Sequence, residues 1–179
     1  MASTRHVALL RAINVGTGRR VPMADLRALM TDAGAVDVKT YIQSGNVVFD
    51  HGAGDDAALQ ADLEARLEAA FGFAIPVILR RAGDWEAIVA ANPFPEAEPT
   101  RLLVSFLRDD PAPGAADAID RGAFAPEEFV IAGREAYLHL PDGFGVAKLP
   151  KALSRALRVP ETARNWRTVL KLLELAQTR

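Results

Sequence analysis

Three polar clusters hold the side chains of this 179-residue chain whose types and spacing could do chemistry. The first is Asn14-Val15-Gly16-Thr17-Gly18-Arg19-Arg20, with Arg11 just ahead of it. It follows an apolar run and precedes a helical one, so its glycine backbone could turn N–H groups toward an anion that Arg11 and Arg19 neutralise. It is no Walker A loop, because the Lys-Ser/Thr ending is missing, and only Gly16 and Gly18 match GxGxxG. A plain turn that needs glycine at positive φ explains the same residues. The second cluster is Gln43-Ser44-Gly45-Asn46, where Ser44 and Asn46 offer a hydroxyl and an amide at a hairpin tip. Ser44 has no GxSxG setting and no nearby His, so it is not read as a nucleophile. The third is Arg164-Asn165-Trp166, placed by its spacing in the first turn of the last helix, where free N–H groups favour an anion. Trp166 is read as core, since Val169, Leu170 and Leu173 share its helical face.

Other chemistries lack their residues. The chain has no cysteine, which removes disulfides, thiolate metal sites and thiol nucleophiles together and suits a reducing cytosol. His6, His51 and His139 stand too far apart for metal-ligand spacing. Asp50-His51 and Asp55-Asp56 bracket a glycine-containing loop that reads as solvated rather than as a cation site. No carboxylate pair is placed well enough to form an acid/base couple. No metal and no cofactor is expected.

Charge is uneven along the chain. Residues 1–144 carry 13 Lys/Arg against 21 Asp/Glu, whereas residues 145–173 carry seven basic groups against Glu161 alone. A basic end of this kind points to an anionic partner, or to a solvated helical face on an acidic body. A small phosphorylated ligand is the favoured partner. Nucleic acid is less favoured, because the whole chain is acidic, with a pI near 5.9. The opening residues are too briefly apolar for a signal peptide, and no run reaches the roughly 18 apolar residues of a membrane span, so a cytoplasmic location is expected.

The elements that must position these clusters follow from periodicity. His6 to Ile13 reads as a buried strand, and Pro22 opens a helix that Gly34 closes. Val36 to Ile42 and Val47 to Phe49 form a hairpin around the second cluster. Leu59, Leu63 and Leu67 line a helix, and Pro76 to Leu79 is a strand, completing the order β-α-β-β-α-β of the ferredoxin-like split βαβ. A short helix over 84–91 ends at the proline-rich stretch 92–99, the expected boundary between residues 1–92 and 93–179. Beyond it come a strand over 102–107, a short helix from Ala115 to about Arg121, a hairpin over 127–140, and helices over 146–157 and 163–177. The fold class is therefore α+β, two ferredoxin-like β-α-β-β-α halves arisen by duplication, the second without a clear last strand.

Three stretches together resemble one family. They are Leu9-Leu10-Arg11-Ala12-Ile13-Asn14-Val15-Gly16, then Thr40-Tyr41-Ile42-Gln43-Ser44-Gly45-Asn46-Val47-Val48-Phe49, then Thr162-Ala163-Arg164-Asn165-Trp166-Arg167. This pattern is similar to the mostly bacterial domain-of-unknown-function family 1697. Thr17 replaces the family's second glycine, and Arg167 stands where Asn is usual. The resemblance implies a two-part ferredoxin-like fold and brings no substrate, cofactor or catalytic residue. The expected function is a binding module for a phosphate-bearing ligand. The expected ligand residues are Arg11, Asn14, Gly16, Arg19, Ser44, Asn46, Arg164 and Asn165, brought together by convergence of the three motifs. An RRM-like mode is disfavoured because the first strand carries no aromatic residue. A small enzyme acting on a phosphorylated metabolite in a cleft between the halves, and an assembly module without ligand chemistry, are the alternatives.

Overall fold

A computed structural model describes residues 3–178. The chain forms two compact units. One runs to Ala87 and takes in the chain again from Lys171, and the other is Ile88–Leu170.

The first unit contains β1 (Thr4–Leu10), α1 (Met23–Asp32), β2 (Val36–Tyr41), β3 (Asn46–His51), α2 (Asp56–Phe71) and β4 (Val77–Arg81), with α3 (Ala82–Ala90) following β4 directly. Its sheet has the antiparallel order β2-β3-β1-β4. Leu9 and Leu10 of the central β1 are both fully buried, which is why β1 reads as a continuous apolar run. Ala8, Leu10, Val47 and Phe49 join Leu26 and Met30 of α1 and Leu59, Leu63 and Leu67 of α2 in one core. Each leucine there contributes on the order of 2 kcal/mol by leaving water. Helix α2 starts where the Asp55 carboxylate accepts from the Ala57 and Ala58 N–H groups at 2.8 and 3.2 Å, and stops at Gly72 in the left-handed region.

The second unit contains β5 (Leu102–Leu107), a 3₁₀ turn (Arg121–Phe124), β6 (Glu128–Ala132), β7 (Glu135–His139), α4 (Leu149–Leu157) and β8 (Glu161–Asn165), followed by α5 (Trp166–Gln177), which continues into the first unit. Its sheet order β6-β7-β5-β8 repeats that of the first unit strand for strand, so both halves follow the ferredoxin-like plan.

Four sequence expectations are corrected here. The second half does have its last strand, β8, which pairs antiparallel with β5. It escapes periodicity because Thr162 and Arg164 are buried polar residues where an apolar pair would mark a strand. The last helix consequently begins at Trp166, not at 163, and Arg164 lies in a strand rather than in a first helical turn. Residues 115–120 form turns rather than a helix, leaving the 3₁₀ turn Arg121–Phe124 in the place of the first half's α1. On α5 it is Leu172 that is fully buried, while Leu170 is exposed.

Candidate functional site

The first two motifs meet in the first unit. Asn14, at φ 54°, donates from Nδ2 to the Val21 carbonyl at 2.9 Å and to the Gln43 carbonyl at 2.8 Å, and its Oδ1 accepts from the Val21 N–H at 2.9 Å. The base of the 11–20 loop is thereby tied to the hairpin turn. Leu10 N–H donates to the Gly45 carbonyl at 2.8 Å beside it. Asn46 is fully buried and donates to the Tyr41 carbonyl and to Ser44 Oγ at 2.9 and 3.0 Å. The polar atoms of Asn14 and Asn46 are thus engaged within the protein, as turn chemistry requires.

What that frame holds outward is cationic. Arg11, Arg19 and Arg20 are exposed, as are Gly16, Thr17 and Gly18. Arg19 stacks its guanidinium 5.3 Å from the Phe73 ring centre. None of the three has a carboxylate partner among the described residues.

The third motif belongs to the second unit. Arg164 is 7% exposed and donates from Nη1 to Thr162 Oγ1 and to the Ala163 carbonyl at 2.8 and 2.9 Å. Burial lowers its pKa to about 10, so it remains a cation at neutral pH. Arg80 of β4 repeats the device: its Nη1 reaches the preceding Leu79 carbonyl at 3.0 Å, and it stands opposite Val7 as Arg164 stands opposite Val104. The duplication therefore places a buried arginine at the same register of each last strand. Asn165 caps α5, its Oδ1 accepting from the Thr168 N–H at 2.9 Å.

One feature of the basic segment was not read from the sequence. Lys151 and Arg155 on α4 and Lys148 and Arg158 at its N- and C-caps are all exposed, at intervals of three, four and three, while Leu149, Leu153 and Leu157 are buried. The i, i+4 spacing sets Lys151 and Arg155 on one helix face, and the two capping residues extend the basic stretch at either end, over about 15 Å of rise. None of the four side chains has a carboxylate partner among the described residues. Glu127 receives backbone donors instead, Lys148 N–H at 3.1 Å and Leu149 N–H at 2.7 Å, and so caps the helix. The spacing was the available signal; counting charge alone hid it.

The loop between Asp50 and Asp55 exposes Gly52, Gly54 and Asp55 to solvent, as expected, while the acids that flank it are bonded within the protein. Asp50 faces Arg5 at 3.2 Å, Asp55 caps α2, and Asp56 bridges His6 and Arg81 at 3.1 and 2.7 Å. Among the described residues, no group of three metal-ligating side chains is clustered, and no helix is long and apolar enough to cross a membrane.

Strand order and duplication define the class, a tandem α+β protein of two ferredoxin-like halves. A family model described as a protein of unknown function, DUF1697, matches residues 3–137, and the chain belongs to that family. The fold is similar to that of a conserved bacterial protein, SP0830, from Streptococcus pneumoniae. The TM-score is 0.80 at 23% identity, covering 99% of this chain and 100% of the other. No curated protein matches the chain.

Proposed function

We propose that the protein is a binding module for a phosphate-bearing polyanion, which the α4 row of Lys148, Lys151, Arg155 and Arg158 contacts. The observation that carries this reading is the row itself. The four like charges have no carboxylate partners among the described residues, and the i, i+4 pair Lys151 and Arg155 alone opposes the helix by about 0.2–0.5 kcal/mol. Phosphates laid along the row would remove that cost and release counterions. A row suits an extended ligand such as a nucleic-acid strand better than a single phosphate.

The test is a titration with labelled single-stranded RNA at two salt concentrations. Four phosphate contacts give a slope of log K on log salt of about −2.8, so a fourfold rise in salt weakens binding roughly fifty-fold. Lys151→Gln with Arg155→Gln should flatten the slope by about 1.4. Absence of binding at low salt, or a slope the double substitution leaves unchanged, would overturn the proposal.

The exposed Arg11, Arg19 and Arg20 on a loop pinned by Asn14 favour a second, compact anion. A nucleoside monophosphate is the probe for that reading. Its binding should weaken with Arg11→Gln and Arg19→Gln and be indifferent to the α4 pair.

A further inference from the structure

The second unit encloses a cavity of about 680 Å³, within the size range of small-molecule sites. Its wall is mostly apolar, with Phe94 and Phe124 half-buried and Phe129 and Leu149 buried among the residues that line it. Four charged or titratable side chains reach the same wall, and three of them are already answered. Glu127 accepts from the first N–H groups of α4. Glu128 and His139 sit opposite each other across β6 and β7, with Oε2 and Nδ1 3.7 Å apart.

Arg121 is different. Its Nη1 donates to the Phe129 carbonyl at 2.8 Å, and its guanidinium carbon lies 3.9 Å from the Phe129 ring centre. That stacking and one hydrogen bond fix the group in place without neutralising it, and four of its five donors remain for another acceptor. Among the described residues, no carboxylate pairs with it. The cavity thus offers one oriented cation, without a carboxylate partner among the described residues, on a wall that also carries Glu127 and Glu128. Phe94 packs on His139 with ring centres 5.5 Å apart, and its half-buried ring is the aromatic surface the cavity offers.

From this geometry we infer that the cavity binds a small aromatic carboxylate, the anionic group on Arg121 and the ring against Phe94 and the apolar wall. A planar guanidinium matches a carboxylate through two parallel hydrogen bonds, which selects it over a neutral polar group. An aromatic amine would meet Arg121 with the wrong sign. This site shares no residue with the α4 row or with the 11–20 loop, so it stands or falls apart from the proposed polyanion binding.

Isothermal titration of the full chain with 2-naphthoate, 2-naphthylmethanol and 2-naphthylmethylamine tests the inference. Naphthoate should bind saturably and at least about tenfold more tightly than the alcohol, the difference a charged hydrogen bond makes. Arg121→Gln, at an exposed position, should erase that difference while leaving RNA binding as in the wild type. Phe94→Ala should weaken naphthoate and alcohol alike. Equal binding of naphthoate and alcohol to the wild type, tighter binding of the amine, or no naphthoate binding at millimolar concentration would each overturn it. So would undiminished naphthoate binding by the Arg121→Gln protein.

Discussion

Single residues in the 11–20 and 42–46 region behave as fasteners, and Gly45 shows why. It has φ 81°, and a Cβ built there would lie 2.7 Å from the Leu10 Cβ and 2.8 Å from the Ile13 Cδ1. Leu10 and Ile13 are core residues that cannot give way cheaply. Gly45→Ala should therefore destabilise the protein by about 2–4 kcal/mol, combining left-handed strain with overpacking. Urea unfolding measures it, and a loss below 1 kcal/mol would show that the hairpin tip relaxes freely. The Gly-Asn pair was legible as a turn from sequence, as the turn chemistry predicted. The reason for its rigidity was not, because the contact with Leu10 spans 35 residues of chain. Arg158 offers the opposite case. It ends α4 at φ 55°, where glycine is at ease and a side chain is not. Arg158→Gly should stabilise by up to about 1 kcal/mol, and thermal melts check the sign.

Elements explain how the chain's last helix comes to serve its first strand. Arg5 on β1 is nearly buried and donates to Asp37 and Asp50 at 2.9 and 3.2 Å. Its other terminal nitrogen donates to the Leu175 and Thr178 carbonyls at 3.1 and 2.7 Å, capping the C-terminal end of α5. A bulge in β2 between Val36 and Lys39, with Asp37 at φ 48°, sets Asp37 against Arg5. Arg5→Met removes the cation and leaves the buried Asp50 carboxylate uncompensated, which should cost about 3–5 kcal/mol. Adding Asp50→Asn should recover part of that loss, and a double-mutant cycle in urea reads the coupling. An additive result would mean that Arg5 acts through Asp37 and the α5 carbonyls rather than through Asp50. The sequence foretold most elements because apolar spacing marks them: Leu59, Leu63 and Leu67 name α2 outright. It missed β8 because Thr162 and Arg164 fill buried positions with polar atoms satisfied locally. The Arg5 network was invisible for another reason. Its partners are 32 to 173 residues away, and nothing in the run Thr4–Leu10 announces that its arginine points inward.

For the molecule as a whole, charge governs behaviour in acid. At neutral pH the 23 carboxylates and 21 Lys/Arg nearly cancel, so protonating the acids drives the net charge strongly positive and the fold toward self-repulsion. Two ion pairs set where this begins. The hydrogen bond from Arg5, helped by Lys39, holds Asp37 below its ordinary 3.8. Burial pushes Asp56 upward, but bonds from Arg81 and His6 outweigh it and hold that carboxyl below 3.8 as well. A carboxyl that is harder to protonate when folded stabilises the fold at every pH above its unfolded value. As pH falls through about 3.8 the unfolded chain takes up protons first, and the stabilisation declines until the folded carboxyl is protonated too. Both pairs tie different strands or helices together, so their loss loosens the sheet's edges rather than a single loop. Unfolding midpoints between pH 2 and 6 should show a steep fall beginning near pH 4. Asp37→Asn with Asp56→Asn should lower the midpoint at pH 7 and flatten the fall, because the groups whose folded and unfolded protonation differ have been removed. If the double variant keeps the full slope, the acid limb belongs to overall repulsion and not to these two carboxylates.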